Sequence, residues 1–213
     1  MTSIRFPRGL YGITPDWSDT GRLLPAIEQA HAGGMVALQW RRKHGTAAEL
    51  RAQAREVQAL CTRLGLIFIV NDDWRLAADL DADGAHLGRD DGAIMQARLA
   101  LGSDKILGCS CYDQPDLAAQ RLQEDVDYIA FGALYPSATK PEAEHATLAH
   151  LQAGQRLVQR LSPRPAVCAI GGLTPENSAP VIAAGADSLA VVSALFEAPD
   201  IQAAARRFTV LFG

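Results

Sequence analysis

The chain has 213 residues, 48% hydrophobic and 21% charged, with a formal net charge of −4; this is the profile of an ordinary soluble globular protein with room for a substantial core. The negative balance disfavours sequence-independent binding to nucleic acid or to an anionic membrane, so neither is expected as a partner. No stretch approaches the ~18 apolar residues that span a bilayer, Met1–Pro7 has no signal-peptide core, and the chain is expected to be cytoplasmic.

Short apolar runs alternate with longer amphipathic stretches at a repeat of roughly 25 residues. Strands are expected at Gly9–Thr14, Met35–Arg41, Leu66–Val70, Gly84–Gly88, Lys105–Ser110, Tyr128–Leu134, Ala166–Ile170 and Ser188–Val192. Helices are expected at Thr20–Gly33, ended by Gly33-Gly34 in the manner of a C-cap, and at Thr46–Leu64, stopped by Gly65. Others fall at Trp74–Leu80, Gly92–Leu101, Asp116–Gln123, Leu148–Leu161, Pro175–Ala184 and Ile201–Phe212. Thr174 reads as the N-cap of the seventh main helix, with Pro175 at its first position. Cys61, Cys109, Cys111 and Cys168 lie within apolar runs, as reduced core thiols do, and Cys109-x-Cys111 is one residue too short for a redox or zinc pair.

Eight strand–helix units with near-continuous apolar strands imply a parallel sheet covered by helices. In this length they close most economically into a single-domain (β/α)8 TIM barrel spanning residues 1–213. An open doubly wound sheet would more often carry a Gly-rich dinucleotide turn after its first strand, and Thr14-Pro15-Asp16-Trp17 stands there instead.

Polar clusters follow the strands: Gln39-Trp40-Arg41-Arg42-Lys43, Asn71-Asp72-Asp73, Asp90-Asp91, Ser110, Ser137-Ala138-Thr139-Lys140, Gly171-Gly172 and Ser193. In such a barrel the loops after the strands gather on one face, where the chemistry resides. Gly171-Gly172 and Val192-Ser193 match the usual phosphate position, since free backbone N–H groups bind anions. Asn71, Asp72 and Asp91 are oxygen donors of the kind Mg²⁺ prefers. Arg41, Lys43 and Lys140 then suit a second anionic group such as a pyrophosphate, and alternation puts Arg41 and Lys43 on one face. Asp73 and Asp90 read as helix caps, His86 as a hydrogen-bonded core residue, and Trp40 and Trp74 as packing residues.

The ordered set Gln39-x-Arg41-x-Lys43, Val70-Asn71-Asp72, Gly84-Ala-His86-Leu-Gly88-Arg-Asp-Asp91, Gly108-Cys-Ser110, Ser137-x-Thr139-Lys140, Ala169-Ile-Gly171-Gly172 and Ala190-Val-Val-Ser193 closely resembles thiamine phosphate synthase, from Gly9 to about Leu195. The resemblance implies a transferase that joins an amino-hydroxymethylpyrimidine diphosphate to a thiazole phosphate. Pyrophosphate would leave first, and the thiazole nitrogen would capture the resulting pyrimidine carbocation. It implies that Asp72 and Asp91 hold Mg²⁺. Gln39, Arg41, Lys43, Asn71, Ser110 and Lys140 would contact the pyrimidine diphosphate, with Lys140, Arg41 and Ser110 as the catalytic residues. Ser137 and Thr139 would bridge the substrates, and Gly172, Val192 and Ser193 would hold the thiazole phosphate.

The chain departs from the family's pattern at Ser137 (commonly Thr), Arg42 (commonly Glu), Cys111-Tyr112 (commonly Thr-His) and Lys140–Ala146, expected to be a mobile loop. The related thiazole tautomerase uses a histidine near Tyr112, so Tyr112 argues against that isomerase. The other alternative is a non-catalytic barrel that binds a phosphorylated ligand through Gly172 and Ser193; it leaves the carboxylates and cations without a task.

Overall fold

A computed structural model describes residues 5–88, 94–136 and 145–213. The strands are β1 (Gly9–Ile13), β2 (Met35–Trp40), β3 (Ile67–Asn71), β4 (Gly84–Leu87), β5 (Ile106–Tyr112), β6 (Tyr128–Phe131), β7 (Ala166–Ile170) and β8 (Ser188–Val191). All pair in parallel and in chain order, and β8 returns to β1 through Gly9↔Ser188 and Gly12↔Val191, so the sheet closes as expected. Around it lie α1 (Thr20–Ala32), α2 (Ala47–Leu64), α3 (Trp74–Asp79), α4 (Ile94–Leu101), α5 (Pro115–Leu122), α6 (Leu148–Val158), α7 (Ala179–Ala183), α8 (Ser193–Phe196) and α9 (Ile201–Thr209). No helix among the described residues is long and apolar enough to cross a membrane.

Local chemistry accounts for the element ends. Thr46 and Glu49 form a reciprocal capping box at the start of α2, and Gly65 closes that helix at φ +65°. Apolar side chains line both faces of the sheet. Leu10, Leu38, Phe68, Val70, Leu107 and Ile129 pack outward under the helices, whereas Tyr11, Ile13, Ala37, Ile69, Tyr128, Ala130, Cys168 and Ala190 fill the barrel axis. All four cysteines are free and buried. Phe6 seals the base of the axis, its ring 4.9 Å from Tyr11 and 4.4 Å from Tyr128.

Three aspartates stitch the base together. Asp83, Asp127 and Asp187 each stand one residue before an even-numbered strand. Their carboxylates accept from the amides of Phe68 (2.8 Å), Leu107 (2.7 Å) and Val167 (2.8 Å) on the preceding strands. Asp127 also pairs with Arg98 at 2.6 Å and Asp187 with Arg164 at 2.7 Å. Burial nonetheless lifts the Asp127 carboxyl above its ordinary value, against the Leu107 amide and the Arg98 guanidinium.

Two expectations about the chain after β7 are corrected. The seventh helix does not begin at Pro175 with a Thr174 cap; α7 starts at Ala179, behind Ser178. Asn177 turns its side chain back, Oδ1 accepting from the Thr174 amide (2.8 Å) and Nδ2 donating to the Gly172 carbonyl (2.9 Å), and Ser178 donates to the Thr174 carbonyl (2.6 Å). These bonds hold 172–178 as a turn, and Pro180 serves the first helical turn instead. The short helix α8 was not anticipated, because four residues carry too little periodicity to read.

Gly108 on β5 is required by the barrel filling: a Cβ there would lie 1.9 Å from Tyr128 Cζ. Gly108→Ala should therefore cost about 3 kcal/mol of unfolding free energy, as overpacked cores do, measured by chemical denaturation; an unchanged midpoint would show that the ring is not wedged against this strand.

Candidate active site

Side chains alternate along each strand, so the axis-facing positions continue upward into the mouth at the strand C-termini. On β2 the inward series is Ala37, Gln39 and then Arg41 just past the strand. The Arg41 segment is tied down by Thr14, whose hydroxyl accepts from the Arg41 amide (2.8 Å) and donates to the Arg41 carbonyl (3.1 Å). Asp16 clamps the next turn: Oδ1 accepts from the Lys43 amide (2.9 Å), and Oδ2 lies 2.5 Å from His44 Nδ1. Partial burial alone would raise the Asp16 carboxyl, but the Lys43 amide and the His44 imidazole outweigh it and hold the group below its ordinary 3.8. Arg42 points its guanidinium to the His44 carbonyl (2.9 Å). Trp40 is buried and donates to Gln53 (3.1 Å), as a packing residue does.

On β3 the inward series reaches Asn71. The next residue, Asp72, has φ +65°, a region that Asp visits more readily than most residues. Its amide donates to the His86 carbonyl at 2.8 Å, which fixes the β3–β4 junction at the rim. Asp73 is the N-cap of α3, accepting from the Leu76 amide at 2.9 Å, as expected of a cap. Asn71 and Asp72 are both half-buried oxygen donors, a set that suits a hard cation such as Mg²⁺ rather than zinc. The second expected metal ligand, Asp91, lies outside the described residues, as do the Asp90 cap, Ser137, Thr139, Lys140 and most of the expected Lys140–Ala146 loop.

Below the mouth, polar side chains from five strands meet in one line. Gln39 Nε2 donates to the Tyr11 hydroxyl at 2.8 Å, and the Tyr11 and Tyr128 hydroxyls are 2.9 Å apart. The Tyr128 hydroxyl is 2.9 Å from His86 Nδ1, and His86 Nε2 is 2.9 Å from Ser110 Oγ. The His86 ring also stacks on Tyr128, with centroids 5.5 Å apart. His86 is thus the hydrogen-bonded core residue its place in a strand suggested. Burial pushes both phenols above the ordinary tyrosine range, so they stay neutral O–H groups.

On the other side of the mouth, Gly171 (φ +101°) and Gly172 (φ +60°) follow β7. A Cβ on Gly172 would meet the Pro136 and Tyr135 carbonyl oxygens at 2.6 and 2.7 Å. Glycine is needed here for both conformation and space. The Tyr135 amide donates to the Gly171 carbonyl (3.1 Å), which docks the loop after β6 against the turn after β7. Val192 follows β8 and caps α8, whose first residue is Ser193. The first amides of a helix have no intrahelical acceptor and face whatever lies before it.

The structure therefore gathers Gln39, Arg41, Lys43, Asn71, Asp72, Ser110, Gly172, Val192 and Ser193 at the C-terminal ends of β2, β3, β5, β7 and β8. Sequence reading missed Thr14, Asp16, Tyr11 and Tyr128. Thr14 and Asp16 carried a signal, because a polar pair directly after the first strand had to lie on the same face. The two tyrosines carried none, since a tyrosine within an apolar run reads as packing.

Residues 10–195 match the family described as thiamine monophosphate synthase. The chain is 55% identical over 207 residues to the thiamine-phosphate synthase of Bordetella avium (strain 197N), covering 97% of this chain and 95% of that one. It is 51% identical to that of Thiobacillus denitrificans (strain ATCC 25259 / T1), covering 97% and 96%. Among solved structures it is similar to a thiamine phosphate pyrophosphorylase from Pyrococcus furiosus, with a TM-score of 0.83 and 27% identity over 98% and 97% of the two chains.

The Asp16 clamp has a pH signature. Because the folded carboxyl sits below its ordinary 3.8, its contribution is complete above that value and is lost as pH falls through the lowered one. Asp16→Ala should cost about 1 kcal/mol near neutral pH, and the two proteins should converge as pH falls below 3.8 and through the lowered value. Urea midpoints measured across that range check it; a gap that persists in acid would mean that the clamp does not depend on the ionised carboxylate.

Proposed function

The chain belongs to the thiamine monophosphate synthase family, and we propose how its own residues carry out the condensation of the aminopyrimidine diphosphate with the thiazole phosphate. It is a thiamine-biosynthetic transferase that yields thiamine phosphate and pyrophosphate. None of the relatives named above is called an isomerase or a non-catalytic barrel. What carries the assignment of roles is the continuation of the barrel's inward face into Gln39, Asn71 and Ser110, with Arg41, Lys43 and Asp72 following directly on the same strand ends.

In the proposed reaction the bond between the pyrimidine methylene carbon and its diphosphate oxygen breaks, and the electron pair leaves with pyrophosphate. The thiazole nitrogen then donates its lone pair to that carbon, forming the new C–N bond. Negative charge grows on the departing oxygen, and pre-positioned cations lower the barrier most when they face that growth. Arg41, Lys43 and Lys140 take that role, with Arg41 charged at any working pH. Thr14 and Asp16 hold the Arg41–Lys43 backbone in place before substrate arrives, so little reorganisation is needed at the moment of reaction.

Gln39, Asn71 and Ser110 orient the pyrimidine diphosphate. Ser137 and Thr139, which lie outside the described residues, would bridge the two substrates. Gly172, Val192 and Ser193 receive the thiazole phosphate on backbone amides, aided by the start of α8. Asp72 and Asp91 would hold Mg²⁺, which when bound supplies positive charge to the diphosphate. The lone pair of the thiazole nitrogen is the nucleophile, so no general base or covalent enzyme intermediate is required. We also propose that the 213 residues act as one barrel domain, and in the cytoplasm, where four free buried cysteines persist.

Mixing both substrates with Mg²⁺ and the purified chain should release pyrophosphate in step with thiamine phosphate, and omitting either substrate should abolish both. Pyrophosphate from the pyrimidine substrate alone would indicate a hydrolase, and none at all a binding barrel. Lys140→Ala should raise the barrier by ~3 kcal/mol, a loss of roughly a hundredfold in kcat. Near wild-type turnover in that variant would remove Lys140 from the leaving-group site.

A further inference from the structure

The line of side chains beneath the mouth has a direction, and proton counting supplies it. An amide N–H can only donate, so the Tyr11 oxygen accepts from Gln39. The single Tyr11 proton then goes to its other neighbour in the line, the Tyr128 oxygen. Tyr128, having accepted, turns its own proton to His86 Nδ1. A neutral imidazole that accepts at Nδ1 carries its proton at Nε2, and that N–H meets Ser110 Oγ. Ser110 has accepted, and among the described residues no acceptor takes its own O–H, which is left for a ligand.

We infer that Tyr11, Tyr128 and His86 are positioning residues whose hydrogen-bond relay holds the Ser110 hydroxyl as a donor, so that its O–H engages an acceptor atom of the pyrimidine diphosphate. The inference rests on the synthase reading only for the identity of the ligand. Three features of the barrel support a built relay over incidental satisfaction of buried groups. The links come from β2, β1, β6, β4 and β5, so no single strand or turn produces them. Gly108 leaves out the Cβ that would displace the Tyr128 ring. Stacking of His86 on Tyr128 sets the imidazole plane, so its two nitrogens face opposite ends of the line. Without the relay a serine hydroxyl rotates freely and can accept as readily as donate, and an aminopyrimidine offers both kinds of partner.

The test combines tautomer and kinetics on the full chain. With ¹⁵N-histidine labelling, the ligand-free wild type should show the His86 proton on Nε2, and Tyr128→Phe should shift the ring to a mixture of tautomers. Tyr128→Phe should also raise KM for the pyrimidine diphosphate about tenfold while KM for the thiazole phosphate stays within about twofold. Tyr11→Phe, one link further away, should act in the same direction but less strongly. A His86 proton on Nδ1 in the wild type, or equal changes in both KM values, would overturn the relay. The tautomer is read without substrate, so failure to form thiamine phosphate would count against the synthase reading alone. An active enzyme with the wrong tautomer would count against the relay alone. If Tyr128→Phe does not fold, the wild-type tautomer and Tyr11→Phe decide the matter.

Discussion

A closed ring of eight parallel strands obliges every second side chain to enter one narrow axis, and that axis must be filled. Here the filling is graded. Rings of Phe6, Tyr11 and Tyr128 occupy the lower part, small residues such as Ala37, Ala130 and Ala190 make room for them, and hydrogen-bonding groups take over higher up. Because the phenol and imidazole polar atoms are buried, each needs a partner. They find partners in one another and in Gln39 and Ser110, so the interior ends at the floor of the site with its polar groups already ordered.

The two ends of the barrel use the same residue types for opposite purposes. At the base, Asp83, Asp127 and Asp187 accept from amides of neighbouring strands, and arginines neutralise two of them. Removing one partner of such a pair would leave an uncompensated buried charge, which is strongly destabilising. At the mouth, Asp72 is half-buried on a left-handed backbone at the rim, and Asp16 spends its carboxylate on ordering a cationic loop. Carboxylates that secure strands sit before them, and those at the mouth come after them.

Much of the fold was legible because its signal is local. Runs such as Leu66-Ile-Phe-Ile-Val70 have the length and β-branched content of a buried strand, and the stretch from Thr46 to Leu64, stopped by Gly65, reads as one long helix. Asp73 was legible as a cap for the same reason. The turn after β7 was not, because Pro175 and Pro180 are both acceptable helix starters. The choice falls to Asn177, which bonds back to Thr174 and Gly172. For the site, Gln39, Arg41, Lys43, Asn71, Asp72 and Ser110 could be nominated as polar residues directly after apolar runs. The buried tyrosines behind them, Tyr11 and Tyr128, could not, because such a residue is defined by its partner across the barrel.

The order of strands and helices, the parallel character of the sheet and the collection of cations, carboxylates and glycines at strand ends were determined by the amino-acid sequence alone, since periodicity and residue type act over a few neighbouring positions. Only the tertiary structure decided that Tyr11, Tyr128 and His86 line up between Gln39 and Ser110, that Thr14 locks Arg41, and that Gly172 lies under the carbonyls of Tyr135 and Pro136. Those contacts join residues 24 to 117 positions apart, and the barrel's closure, which no local stretch of sequence contains, is what brings them within hydrogen-bonding distance.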